Sequence, residues 1–248
     1  MKIGVIGAGL IGQPIIRKLL SAGHEVKIAN SKSPETLKDF AMEVGANPVL
    51  VQNVVEDVDV VFLAIPTASV PLLPKDLFQR AKPGTIVVDV TNYYPYRDGN
   101  IKELDDGMLE SEWVSKYINY PVIKAFNTII FLSFIENGQP SGKKGRIALP
   151  ISGDDSIAKK VVAKLLDDVG FDSFDAGNIA ESWRQQPGSA IYVVDLVKED
   201  LIIWLKKCNR KTLQHQREEI VKKYFNWPKD TTLEVMLKEL RVLLQVES

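Results

Sequence analysis

The sequence predicts an α/β fold: a doubly wound, mainly parallel sheet of Rossmann type, about eight strands, with a small C-terminal helical region. Three observations carry that expectation. Apolar strand-like runs alternate with helix-period segments over the first 180 residues. The early runs, such as Val60–Ile65, are apolar throughout instead of alternating, as strands buried on both faces are. A β-α-β-α order then leaves helices to cover both faces of the sheet.

The expected strands are Lys2–Gly7, Glu25–Asn30, Pro48–Val51, Asp59–Pro66, Thr85–Asn92, Pro121–Asn127, Arg146–Ser152 and Phe171–Ala176. Between them lie helices with start signals. Ser33-Pro34-Glu35 offers an N-cap serine followed by proline at the first helical position. Asp155-Ser156 precedes Ile157–Val169, where Val161, Leu165 and Val169 share one face. Residues 93–120 break the rhythm with a polar, turn-rich stretch that carries several aromatics, including Tyr93, Tyr94 and Tyr96. Such a stretch after a sheet strand either borders a ligand cleft or is a surface excursion packed by its own tyrosines. From Lys198 onward the chain holds eleven basic and eight acidic residues, a net +3 against −4 for the rest. Leu233, Met236, Leu237, Leu240 and Leu244 recur there at helical spacing, so this tail is expected to pack an apolar stripe on the core or on a second copy. The division expected is residues 1–180 and 181–248, with a homodimer through the C-terminal helices.

Composition narrows the function classes. With 45% hydrophobic and 25% charged residues among 248, the chain is of ordinary globular type. A net charge of −1 argues against gripping nucleic acid by bulk charge. The single cysteine, Cys208, cannot close an intrachain disulfide. No apolar run approaches the ~18 residues of a bilayer span, and the N-terminus enters a strand at once without a signal sequence. The expectation is a cytoplasmic protein that acts on a small molecule, with neither nucleic acid nor membrane as partner.

The strongest chemical signal is Gly7-Ala8-Gly9-Leu10-Ile11-Gly12, which follows the strand Lys2–Ile6 and opens a helix running to about Ala22. In that context Gly7 permits the tight turn, Gly9 lets the backbone approach a pyrophosphate, and Gly12 lets the helix pack on the sheet. The helix N-terminus offers free N–H groups and a positive dipole end to phosphates. The other reading of this loop is a structural turn in an α/β protein that binds no nucleotide. The second strand then selects the dinucleotide. A carboxylate there binds a ribose 2′-hydroxyl, but this strand ends at Asn30, followed by Ser31 and Lys32. An amide, a hydroxyl and an ammonium all donate to a 2′-phosphate, so NADP(H) is expected over NAD(H). The plainer alternative is that Lys32 is a solvated loop lysine. Ala64, Ile65 and Pro66 close the fourth strand and are expected to border ribose and nicotinamide, since ligands sit beyond the carboxyl ends of such strands. Asn92 and the segment Lys124-Ala125-Phe126-Asn127 end the next two strands and are expected to face the same crevice.

Together these stretches resemble the deazaflavin (coenzyme F-420)-dependent NADP oxidoreductase family, and more closely a bacterial branch of it. The resemblance also rests on Asp89–Pro95, Arg97-Asp98-Gly99, Lys124–Asn127, Ala148–Asp155, Gly170-Phe171-Asp172, Asp175-Ala176-Gly177, Glu181–Arg184 and Gln186-Pro187-Gly188, and covers about residues 1–195. It implies an eight-stranded Rossmann domain with a small helical region closing a cleft over the nicotinamide. It implies that Gly7, Gly9, Leu10, Ile11 and Gly12 hold the pyrophosphate and that Ser31 and Lys32 hold the 2′-phosphate. Ile65, Pro66 and Ala125 would lie near the nicotinamide, and the deazaflavin coenzyme would be a co-substrate.

The remaining residues restrict the chemistry. His24 precedes the second strand and reads as scaffold, and His215 lies in the polar tail. Cys208 sits among Lys206, Lys207, Arg210 and Lys211, a setting that lowers a thiol pKa, although a lone tail thiol more often packs. No histidine–carboxylate or cysteine spacing suggests a metal. Lys124 is the expected proton-handling group, with Asn127 or Tyr94 as hydrogen-bonding partner. Hydride transfer between two redox rings needs less side-chain chemistry, since the protein need only align donor and acceptor. Three readings follow: an NADP(H)-dependent oxidoreductase serving a flavin-like or small organic acceptor, a dehydrogenase or imine reductase using Lys124, and a non-catalytic NADP(H) sensor.

Overall fold

The computed structural model describes residues 1–245, so the last three residues of the expected C-terminal region, 246–248, lie outside the described residues. Eight strands form as expected, most of them shorter than the apolar runs that announce them. They are β1 (Lys2–Ile6), β2 (Glu25–Ala29), β3 (Asn47–Pro48), β4 (Val60–Leu63), β5 (Ile86–Asp89), β6 (Ile123–Lys124), β7 (Ala148–Ile151) and β8 (Asp172–Asp175). The first six make one parallel sheet in the order β3-β2-β1-β4-β5-β6. The last two form a parallel pair. An antiparallel bridge between Lys124 and Ser152 joins pair to sheet, with Lys124 N–H donating to the Ser152 carbonyl at 2.8 Å and Ser152 N–H to the Lys124 carbonyl at 3.0 Å. The strand direction therefore reverses across this seam.

The helices are α1 (Gly12–Ser21), α2 (Lys38–Val44), α3 (Pro95–Asp98), α4 (Lys102–Asp105), α5 (Glu110–Ile118), α6 (Phe131–Glu136), α7 (Ser156–Asp168), α8 (Lys198–Lys207), α9 (Leu213–Asn226) and α10 (Leu233–Leu243). Strand pleating sends successive residues to opposite faces, and here both faces are apolar. Val60 and Phe62 join a core with Ile15, Ile16 and Leu19 of α1 and Leu165 of α7. Val61 and Leu63 join a second core with Trp113, Val114 and Ile118 of α5. This is why β4 reads as an unbroken apolar run. The cap of α7 is as expected, with the Asp155 carboxylate accepting from the N–H groups of Ile157 and Ala158 at 2.8 and 3.0 Å. Ser33 differs: the chain enters a short 3-10 turn at Pro34–Leu37, and the Ser33 side chain makes no capping bond.

The stretch 93–120 is ordered into α3, α4 and α5 around Tyr93, whose hydroxyl donates to Asp105 at 2.8 Å and accepts from Ile101 N–H at 2.9 Å. That much fits packing by its own tyrosines, but the next residue, Tyr94, leaves for the cleft described below. A third core joins residues 190–196 to Leu201, Trp204 and Leu205 of α8, Ile220 of α9 and Leu240 of α10. Arg241 ties α10 down by donating to the carbonyls of Val194 and Asp195 at 3.0 and 2.9 Å. The tail stripe is thus largely used within the chain: Leu240 and Leu244 are buried, and Met236 turns to the cleft. Among the described residues no helix is long and apolar enough to cross a membrane, and no group of three metal-ligating side chains gathers.

Candidate functional site: a cleft between the sheet edge and the tail helices

In the observed strand order the chain reverses between β1 and β4, and ligands of such sheets lie in the crevice beyond the strand ends at that point. A cleft of about 670 Å³ opens there, within the ordinary range for small-molecule sites. Its near wall is the glycine loop and the ends of β4, β5 and β6. Gly7 has φ +107°, and a Cβ there would stand 2.3 Å from the Ala64 carbonyl oxygen, so only glycine is tolerated at the turn. Gly9 is the opposite case: a Cβ built on it would meet nothing within 4 Å. The structure itself does not require glycine at this position, so the space beside it is free for a ligand. The first turn of α1 leaves backbone N–H groups without intrahelical partners next to that space.

Among the expected site residues, Gly9, Leu10, Ile11, Ala64, Ile65, Pro66, Asn92 and Asn127 line the cleft together. Gly7 and Gly12 lie behind the loop as buried supports. Asn30, Ser31 and Lys32 stand at the end of β2, outside the deep cleft, with Ser31 and Lys32 exposed. Asn30 has a structural part in its own turn. Its carbonyl oxygen accepts from Lys32 N–H at 2.9 Å and its amide donates to Thr36 at 3.0 Å, so it shapes the turn that carries Ser31 and Lys32.

Two expectations at the ends of β5 and β6 are corrected. Lys124 does not face the crevice. It is wholly buried, its Nζ lies 3.1 Å from Asp89 Oδ2, and it also donates to the Thr91 carbonyl. Asp89 in turn accepts from Ser111 Oγ at 2.7 Å and from Thr91 N–H at 2.8 Å. Asp89 sits 35 residues earlier in the chain, on the strand adjoining β6, so parallel pairing brings the two charges together. Ala125 is also fully buried, one layer behind the lining. Phe126, expected at the crevice with its segment, does take a place on the wall, at φ +66°. Beside this cluster burial pushes the Glu110 carboxyl up to about 7, against the pull of Lys124, its hydrogen bond from Tyr93 N–H and Arg217.

Asn92 and Asn127 form a polar seam. Asn92 donates to the Asn127 carbonyl at 3.0 Å, and Asn127 Nδ2 donates to Asn92 Oδ1 at 2.9 Å and to the Gln185 carbonyl at 2.7 Å. Asn127 Oδ1 is buried and has no partner. A buried acceptor without a protein partner has its hydrogen-bonding capacity open to a water or a ligand donor.

The far wall comes from the tail and was not legible as a motif. Ile220, Tyr224, Trp227, Met236 and Leu240 face the glycine loop across the cleft, and Tyr96 of α3 joins the lining. Tyr192 reaches in beside them and its hydroxyl lies 2.5 Å from that of Tyr94. The other candidates fall away from the cleft. Cys208 is partly buried, and that burial pushes its thiol pKa up, in keeping with a packed thiol and against a lowering by its basic neighbours. His24 lies between the N-terminal amine and Asp168, each at 3.2 Å, and burial lowers its pKa.

Residues 2–93 match the family model described as NADP oxidoreductase, coenzyme F420-dependent. The structure of a hypothetical protein of Sinorhizobium meliloti, SMa0349, is similar at TM-score 0.68 and 30% identity, over 80% of this chain and 96% of that one. A protein of Arthrobacter sp. FB24 described as an F420-dependent NADP-reductase is similar at TM-score 0.61 and 25% identity, over 73% of this chain and 87% of that one. The YjhV protein of Escherichia coli K12 is 46% identical over 59 residues, 24% of this chain. That match spans 43% of YjhV, less than half its length.

Proposed function

The chain belongs to the same family as the Sinorhizobium meliloti protein SMa0349, and on that premise we propose that it is an NADP(H)-dependent oxidoreductase that moves a hydride between NADP(H) and a flavin-like or small organic acceptor. One observation carries the reading: an open glycine position, Gly9, at the reversal point of the sheet, facing a mainly apolar cleft. The match of the first third of the chain to an NADP oxidoreductase family supports it.

The residues present fit the dinucleotide. Gly9, Leu10 and Ile11, with Gly7 and Gly12 behind them, hold the pyrophosphate against the first turn of α1. Ser31 and Lys32 hold the 2′-phosphate on the turn that Asn30 shapes. Ala64, Ile65 and Pro66 border ribose and nicotinamide. The unpaired Asn127 Oδ1 accepts a carboxamide N–H, and Asn92 keeps that side chain in place. When bound, NADPH supplies the hydride. The protein's part is to hold the two reactants face to face and to exclude water with the tail helices. The proposal includes a cytoplasmic location and a homodimer through the C-terminal helices, where Val235 and Val242 of α10 remain 44% and 73% exposed.

The test is NADPH binding followed by anaerobic NADPH consumption, with the deazaflavin coenzyme and free flavin as acceptors. Binding with consumption supports the reading. A chain that fails to bind NADPH overturns it.

A further inference from the structure

We propose that Tyr94, backed by Tyr192, is the proton donor of the cleft, and that the acceptor is accordingly a small, mainly apolar carbonyl or imine compound. This rests on the oxidoreductase reading above and narrows it. The two tyrosines are 98 residues apart in sequence, yet their hydroxyls meet at 2.5 Å and both line the cleft. Each phenol has one hydrogen to donate. Sharing one bond uses one hydrogen and leaves the other. Among the described residues neither hydroxyl has a second protein partner, so the remaining O–H needs an acceptor that enters the cleft. Tyr192 is 4% exposed while Tyr94 is only half-buried, which puts Tyr94 against the substrate and Tyr192 behind it.

The surroundings favour this role. Lys124 is sealed beneath the sheet edge, and among the described residues neither a histidine nor a carboxylate lines the cleft. Ile129, Ile130, Ile220, Met236 and Leu240 supply apolar walls for the body of a substrate. Val193, next to Tyr192, is held at φ +56° while its N–H donates to the Thr128 carbonyl at 2.8 Å. A β-branched residue in the left-handed region is strained, and such strain gathers where a side chain must be aimed. Both phenols carry their proton at neutral pH as any tyrosine does, and burial raises them further, so the proton is drawn only by the basic oxygen or nitrogen that the hydride creates.

The step balances with NADPH as the reductant. The carbonyl or imine carbon gains a hydride, and NADPH leaves as NADP⁺. The π pair moves to the oxygen or nitrogen, which takes the Tyr94 proton. The Tyr94 phenolate is refilled by Tyr192 along their hydrogen bond, and water restores Tyr192. An alcohol or amine results. A flavin-like ring spreads the incoming electron pair over conjugated atoms and draws its proton from solvent, so it makes no use of this pair.

The experiment uses the full chain, as wild type, Tyr94→Phe and Tyr192→Phe. Anaerobic NADPH oxidation is followed with 2-methyl-1-pyrroline and a set of apolar aldehydes and ketones, beside free flavin and the deazaflavin coenzyme. NADPH affinity is read in parallel from quenching of tryptophan fluorescence. The expected result is turnover of a carbonyl or imine compound that falls by about tenfold or more in Tyr94→Phe, in line with losses of a general acid, with NADPH affinity unchanged. A smaller loss, or turnover confined to flavin and deazaflavin, or none with any carbonyl or imine compound, overturns the assignment. Because Phe keeps the ring, retained NADPH affinity also reports an intact fold. Loss of NADPH binding in the wild type overturns the oxidoreductase reading itself, whereas binding without carbonyl or imine turnover overturns only the role of Tyr94.

Discussion

The two walls of the cleft are built by different means. The near wall is the rim of a parallel sheet, where each group is set by a neighbour one strand away: Gly7 N–H donates to the Ala29 carbonyl at 2.8 Å, and Ala64 N–H to the Ile6 carbonyl at 2.9 Å. The far wall is a set of side chains from residues 192–240 that reach the cleft only because α9 and α10 dock on the third core. A wall of backbone tolerates few substitutions and presents a generic dinucleotide surface. A wall of docked side chains is adjustable, and under the proposed function it is where a second substrate would be recognised.

The largest expected effect lies under the near wall. Lys124→Ala leaves the buried Asp89 carboxylate without its counter-ion, and breaking such a pair costs about 3–5 kcal/mol. A fall in the denaturant midpoint of that order checks it. A variant as stable as wild type would show that the pair contributes nothing to the rim.

Glu110 touches both walls electrostatically, through Lys124 from β6 and Arg217 from α9. Its carboxyl is raised from 4.5 to about 7 on folding. Between those values the folded chain keeps a proton that the unfolded chain has released. Stability from this group is therefore present below the lower value and lost as pH rises through the upper one, by at most about 3 kcal/mol. Glu110→Gln should flatten that part of the profile, as read by chemical denaturation of both proteins at about pH 5 and pH 8.

Gly9→Val separates fold from binding within the near wall. The open position accepts a side chain, so melting should barely move, while NADPH affinity falls by roughly 100-fold, equivalent to about 2.7 kcal/mol. Equal losses in both would mean that the loop itself was disturbed. Arg241→Ala probes the far wall alone. Removing its two bonds to the Val194 and Asp195 carbonyls should cost about 2 kcal/mol, seen as faster proteolysis of the tail with NADPH affinity retained. The smallest effect is at the surface. Lys32→Ala should weaken NADPH by about fivefold, roughly 1 kcal/mol, and leave NADH untouched. Equal weakening of both nucleotides would remove Lys32 from the 2′-phosphate.

Much of the near wall was legible in advance because its information is local. The turn at Gly7, the helix start at Gly12 and the strand end ahead of Pro66 are written in neighbouring residues. Lys124 shows where that logic stops. Its residue type suggested chemistry, but its partner, Asp89, lies on another strand, and a lysine buried against that carboxylate does not reach the cleft. Asn127, three residues later, was named with it and does line the cleft, with an oxygen left unpaired. Nothing local distinguishes the two. Tyr192 escaped notice altogether, because it stands in a segment with no motif.

The sequence by itself determined the α/β class, the eight strands, the glycine turn and the helical tail. Hydrophobic period and backbone dihedral demands act over a few residues and so appear in any short window. Only the tertiary structure decided which polar groups were spent and which were left open: Lys124 against Asp89, Asn30 within its own turn, and Tyr94 against Tyr192. Those outcomes depend on which residues far apart in the chain are packed together. Burial then enforces the pairing, since an unpaired polar group costs far more in the interior than in water.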